Sequence, residues 1–236
     1  NIASFVDEMV VIDTGSTDGT LDIVKSMRAT LFQVEDLRET HDIIQPYLNG
    51  DNWLFGVDGD EIYDPEGLNQ VKKDLSSGRF AKYYQVYGQF CHCVSLDPKA
   101  QKARGYLAPP SHHPTKLYNT KNINKWPSDK EHILFQSKQL VLSNGSSKDS
   151  SYLNLPWGEC PLKCLHTRFF RRSTCESKSS IGVRLHGEDL LGFGSKKDRG
   201  GYEDKNIRLA YRKGPLATID IVPFGLKEEE LKNAIV

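Results

Sequence analysis

The chain has no long hydrophobic run: none of its apolar stretches approaches the ~20 residues a membrane-crossing helix needs, and no signal-peptide pattern is visible. It is expected to be cytoplasmic, at most membrane-peripheral, with no transmembrane segment in this chain. Net charge is lacking too. Lysine plus arginine (31) equals aspartate plus glutamate (31), which leaves no electrostatic argument for a nucleic-acid partner. Cysteine is sparse and odd in number: Cys91, Cys93, Cys160, Cys164 and Cys175 lack the dense spacing of a disulfide scaffold, so reduced thiols are expected. Neither Cys91-His92-Cys93 nor the run from Cys160 to His166 has the C-x2-C spacing of a strong zinc signature. The cysteines therefore read as small apolar residues, with Cys91 and Cys93 on one face of a strand. There is no internal repeat. With 236 residues, 38% of them apolar, the chain can bury one substantial core.

What the chain does have is Asn52-Trp53-Leu54-Phe55-Gly56-Val57-Asp58-Gly59-Asp60-Glu61, an apolar run that stops on three carboxylates. Such a run reads as a buried central strand, and ligands gather outside the carboxyl ends of strands in open parallel sheets. Carboxylates two residues apart repel, so their clustering calls for a cation, a proton or solvent. Gly59 lets the backbone turn without a side chain in the way. Oxygen ligands select hard cations such as Mg2+ or Mn2+, which keep positions open for phosphate oxygens. The plainer alternative is a solvated acidic turn.

A second element precedes it, Val6-Asp7-Glu8-Met9-Val10-Val11-Ile12-Asp13-Thr14-Gly15-Ser16-Thr17-Asp18-Gly19-Thr20-Leu21-Asp22-Ile23-Val24-Lys25. Met9–Ile12 predicts a strand ending on Asp13, Gly15 and Gly19 permit tight turns, and Thr17 or Thr20 can cap a helix carrying Leu21, Ile23 and Val24. An Asp in this place can accept hydrogen bonds from a base or ribose, while loop N–H groups favour anions. A plain strand-to-helix connection is the alternative.

In this order and spacing the two elements resemble family 2 glycosyltransferases of the GT-A fold. The likeness runs over about the first 75 residues, a span fitting one nucleotide-binding half of an α/β domain, and is looser beyond. It implies a GT-A, Rossmann-like domain over 1–236, with a mixed, mostly parallel sheet flanked by helices. Residues 1–95 would form the nucleotide-sugar and metal-binding half, and 96–236 a looser acceptor-side and C-terminal segment. It also implies that Asp13, with Gly15, Ser16 and Asp18 in its loop, contacts the nucleotide. Asp58 and Gly59 would lie at the ribose or metal-bound water, and Asp60, helped by Asp58, would bind the Mn2+ or Mg2+ that bridges the diphosphate.

The chain departs from the family pattern at its start. It opens on Asn1-Ile2-Ala3-Ser4-Phe5, already approaching what would be the family's second strand, and has no initiating Met, which favours a fragment of a longer protein. Between the motifs, Arg38 stands nearest to the family's arginine. Lys116-Leu117-Tyr118, Trp126 and Glu131-His132 echo a later family cluster with the last pair reversed.

Further along, Pro65–Leu75 predicts a helix ended by Ser76-Ser77-Gly78, and Phe80–Val94 one long strand or a hairpin. Leu96–Pro114 reads as a loop, and Leu226–Ile235 as a terminal helix. Glu131 is the candidate general base, with Asp189 and its neighbour Glu188 as rivals. His166, placed after the expected end of the sheet, is the candidate late metal ligand, imidazole being acceptable to Mn2+. Arg168, Arg171 and Arg172 suit a diphosphate or a solvated face.

The expected activity is that of an inverting, hexosyltransferase-type glycosyltransferase. It would move a sugar from a nucleotide-sugar donor to a hydroxyl of a glycan, lipid or protein acceptor. Two alternatives remain: a haloacid-dehalogenase-like phosphatase with Asp58 as nucleophile and Asp60 as acid, and a noncatalytic nucleotide-sugar or glycan-binding domain.

Overall fold

The computed structural model describes residues 2–16, 19–35, 39–48, 50–107, 115–125, 141–142, 150–152, 155–167 and 214–227. They form a mixed α/β arrangement rich in short strands.

The chain first makes a strand-helix-strand unit. Strand β1 (Val10–Asp13), one residue later than the apolar run suggests, pairs in parallel with β2 (Thr30–Gln33) across helix α1 (Thr20–Ser26). Gly19, not a threonine, caps α1, without a side-chain hydrogen bond, and only Val24 of the helix is buried. A helix of two turns with one buried side chain is held by its flanking strands rather than by its own propensity. Helix α2 (Thr40–Ile44) and a 3-10 turn at Gln45–Tyr47 then lead to β3 (Trp53–Phe55), β4 (Glu61–Tyr63) and helix α3 (Pro65–Ser76).

Helix α3 follows its prediction to within a residue, and its start explains why. Asp64 accepts hydrogen bonds from the N–H groups of Glu66 (3.0 Å) and Gly67 (3.1 Å), and Pro65 takes the first turn. The same carboxylate meets Lys163 Nζ at 3.2 Å with both side chains nearly sealed from solvent. Leu68 and Val71 are buried a turn apart, and Gly78 (φ 77°) ends the segment. At Gly67 the Pro161 carbonyl oxygen would overlap any Cβ, so only glycine permits this approach.

The remaining strands are β5 (Gln85–Tyr87), β6 (Gln89–Asp97), β7 (Lys102–Leu107), β8 (Thr115–Asn119), β9 (Ile123–Lys125), β10 (Val141–Leu142), β11 (Ser150–Ser151), β12 (Lys163–His166) and β13 (Leu216–Asp220). Besides the β1-β2 and β10-β9 pairs there are two larger sheets, ordered β11-β5-β8-β3 and β13-β7-β6-β12-β4. The expectation of a mostly parallel sheet does not hold among these residues. Only β1-β2, β11-β5 and β12-β6 pair in parallel; the other pairs are antiparallel. Nor is the Trp53–Phe55 strand central: it lies at one end of its sheet and is only half-buried.

Two further differences have local causes. The predicted loop from Leu96 holds β7 instead, which turns back on β6 through Gln101 at φ 50°. Its inward face carries Ala103 and Gly105, with too little apolar bulk to announce a strand; a Cβ at Gly105 would come within 2.6 Å of Cys91 Sγ. The strand or hairpin expected over Phe80–Val94 is neither: the run divides at Gly88, where the Leu162 carbonyl oxygen occupies the space a Cβ would need. Residues before this point join the four-stranded sheet, and those after it the five-stranded one.

The five-stranded sheet separates two cores by the alternation of its side chains. Phe90, Cys164 and Tyr63 join Leu68, Val71 and Phe80 on one side; Cys91, Cys93, Leu165, Ile219, Ile221 and Phe224 pack on the other. Cys91, Cys93, Cys160 and Cys164 are unbridged and buried, as the composition suggests; Cys175 lies outside the described residues. Among the described residues no helix is long and apolar enough to cross a membrane. The expected terminal helix falls largely outside them.

Candidate metal centre

The site is built where β4, β12 and β6 lie side by side. The ladder sets Glu61 opposite His166 and His166 opposite His92, so three ionisable side chains form one row across the sheet. His166 is therefore not beyond the sheet, as its place in the sequence suggests. It sits in β12, between β4 and β6.

Residues Asp58 to Glu61 make the turn that feeds β4. Glu61 N–H donates to Asp58 O (3.1 Å), and Asp58 N–H donates back to the Glu61 carboxylate (3.0 Å). Tyr63 Oη donates to the same Glu61 oxygen at 3.1 Å. Burial, and then the Glu61 charge, holds the Tyr63 phenol well above its usual range, so it remains a donor. The other arm of the turn is tied to β12: the N–H and hydroxyl of Thr167 donate to Asp60 O at 2.8 and 3.1 Å. That tether brings the Asp60 side chain to the histidine next to Thr167. Asp60 Oδ2 lies 3.6 Å from His166 Nε2, and the two side chains are only 11% and 7% exposed.

This spacing is too long for a hydrogen bond. It resembles the separation of two donors on one cation, since ligands about 2.1 Å from a metal lie roughly 3.0–3.5 Å apart. An oxygen plus an imidazole nitrogen suits Mn2+. The residues present thus fit a divalent cation held by Asp60 Oδ2 and His166 Nε2. Among the described residues no group of three or more His, Cys, Asp or Glu side chains is arranged to hold a metal; hard cations commonly take water or phosphate oxygens besides their protein ligands. Asp58 is half-buried at the head of the turn. Gly59 is exposed, with nothing within 4 Å of a Cβ position, leaving open space over the turn.

On the far side of His166 lies a residue that the sequence reading did not include in the site. His92 Nδ1 is 2.9 Å from His166 Nδ1, both side chains are buried, and Phe90 packs its ring within 6.1 and 5.9 Å of the two imidazoles. The signal is present in Cys91-His92-Cys93: alternation places His92 on the face opposite the cysteines, away from any zinc site with them. Glu61, whose carboxylate fixes the turn, likewise stands outside the predicted set.

Asp13 is arranged differently. Its carboxylate accepts from the N–H groups of Gly15 (3.0 Å) and Ser16 (3.1 Å), closing its own loop. Burial pushes its carboxyl up, but bonds from the Ser16 side chain, the two N–H groups and Gln33 outweigh that and hold it below its ordinary value. Gly15 at φ +98° supplies a backbone conformation that other residues resist. The two N–H groups are thus turned to Asp13 rather than outward to an anion. Of the other predicted residues, Asp18, Glu131 and Asp189 lie outside the described residues, as do Arg38, Trp126, His132, Arg168, Arg171, Arg172 and Glu188.

Compared with protein-family models, with curated proteins and with solved structures, the chain matches none.

Proposed function

We propose that the chain is a divalent-metal-dependent, GT-A-type glycosyltransferase that moves a sugar from a nucleoside-diphosphate sugar to an acceptor hydroxyl. One observation carries the reading: a carboxylate at the turn after an apolar strand, Asp60, meets a buried histidine, His166, at 3.6 Å across a sheet. The two would hold the cation, with Asp58 and the open space over Gly59 beside them. When bound, the cation supplies charge neutralisation for the departing diphosphate.

The chain's own groups supply position. Glu61 and Thr167 fix the turn from opposite ends, so Asp60 is preorganised rather than recruited on binding. A loop closed on Asp13 offers a rigid edge for a base or ribose. Glu131 and Asp189 are the candidate carboxylates to take the proton of the acceptor hydroxyl as it attacks the anomeric carbon.

Calorimetric titration of nucleoside diphosphates in the presence and absence of Mn2+, followed by assay of donor-sugar hydrolysis, tests the reading. Metal-dependent binding, lost in Asp60→Ala, is expected. Binding without turnover would move the protein to the noncatalytic class, and phosphate release through a covalent Asp58 adduct would contradict the reading.

A further inference from the structure

We infer that His92 is a positioning residue for the metal site: its Nδ1 accepts the Nδ1 proton of His166, fixing the tautomer that presents His166 Nε2 as a lone pair toward Asp60. This rests on the reading of Asp60 and His166 as the cation's ligands.

With both rings neutral, two proton placements fit this geometry. Two neutral imidazoles whose Nδ1 atoms are 2.9 Å apart share one proton between those atoms, one ring donating and the other accepting. If His92 donates, His166 carries its proton on Nε2, and that N–H faces the Asp60 carboxylate and blocks ligation. If His166 donates, His92 carries its own proton on Nε2, His166 Nε2 holds a lone pair, and two electron-rich atoms face each other 3.6 Å apart, an arrangement a cation stabilises. The second placement is the one that binds metal. A histidine ligand commonly has its other ring nitrogen fixed by a hydrogen-bond acceptor, and loss of that acceptor weakens metal binding by about 10–100-fold.

The fold delivers the contact itself independently of the metal. His92 and His166 are register partners in the parallel β6-β12 pair, so the ladder itself delivers the contact. Their ring centroids are 5.0 Å apart at an interplanar angle of 57°, and Phe90 packs against both rings. His92 is 1% and His166 5% exposed, so bulk water competes weakly for the shared proton.

The experiment is a Mn2+ titration of the whole chain by calorimetry, using wild type, His166→Leu, His92→Leu and His92→Asn. Asparagine can return an acceptor near the imidazole Nδ1 position. His166→Leu should abolish the binding, His92→Leu should weaken it about 10–100-fold, and His92→Asn should restore most of it. Equal affinity in wild type and His92→Leu overturns the inference. So does equal weakening in the leucine and asparagine variants, which would mark a packing effect.

A second measurement does not depend on the variants folding. In 15N-histidine wild-type protein loaded with Zn2+, a scalar coupling across the N–H···N bond should link the two Nδ1 atoms, with the proton assigned to His166. Its absence, or a proton on His92 Nδ1, overturns the inference while leaving the metal site standing. If wild-type protein binds no Mn2+, the parent reading fails and takes this inference with it.

Discussion

Asp13 and Asp60 each lie close to a glycine and beside a short strand, and each is the acidic residue a sequence reader would choose. Asp13 spends its oxygens on N–H groups two and three residues away, and the result is a closed loop. Asp60 leaves the tying of its turn to the backbone and to Glu61, and carries its side chain to a histidine contributed by β12. A carboxylate that accepts from its own loop closes that loop; one brought to 3.6 Å from a distant, buried imidazole is the arrangement on which the proposed cation site rests.

The largest effect that sharpens this contrast belongs to a third carboxylate, three residues beyond Glu61. Asp64 caps α3 and faces Lys163, both buried, so Asp64→Leu should destabilise the protein by about 3–5 kcal/mol by stranding a buried lysine. Urea denaturation reads this directly. A loss below about 1 kcal/mol, the size of an exposed pair, would show that the lysine finds water.

Next come the glycines. Gly15→Ala should cost about 1–2 kcal/mol, because φ +98° is strained for any side chain. Gly59→Ala should shift stability by no more than about 0.5 kcal/mol, since open space surrounds its Cβ position. Under the proposed function it should nevertheless weaken nucleoside-diphosphate binding, because that space is where a ligand would lie. Equal thermal shifts for the two variants would erase the distinction between loop and site.

Asp13→Asn should cost about 1 kcal/mol at neutral pH, from weaker acceptance of two N–H bonds. The sign with pH follows from the lowered carboxyl. The Asp13 contribution is complete above the ordinary carboxyl value of 3.8 and is lost as pH falls through the lower folded-state value. The stability curves of the wild type and the Asp13→Asn variant, recorded by thermal melts, should therefore converge in acid. Parallel curves would mean that the charge on Asp13 does not hold the loop.

The legible parts of this fold are those whose signals are local. Helix α3 announces itself through Pro65 and the spacing of Leu68, Val71 and Leu75, and β1 through its valines. What stays hidden depends on neighbours distant in sequence. Strand β7 buries Ala103 and Gly105, and the side chains packed around them, Cys91 and Cys93 among them, make this a core face. Gly88 divides one apparent strand between two sheets because the Leu162 backbone presses on it. For the site, Asp60 and His166 are each singled out by residue type, but their meeting depends on the antiparallel register of β4 and β12, and His92 enters through the parallel register of β12 and β6. Pairing register is not written in any one of these strands.

The most direct test of the central claim is the electron spin-echo spectrum of Mn2+ added to the wild-type protein and to His166→Leu. A buried Asp60–His166 cation site predicts nitrogen modulation from one imidazole in the wild type, absent in the variant. Mn2+ bound equally by both proteins, without that modulation, would contradict it.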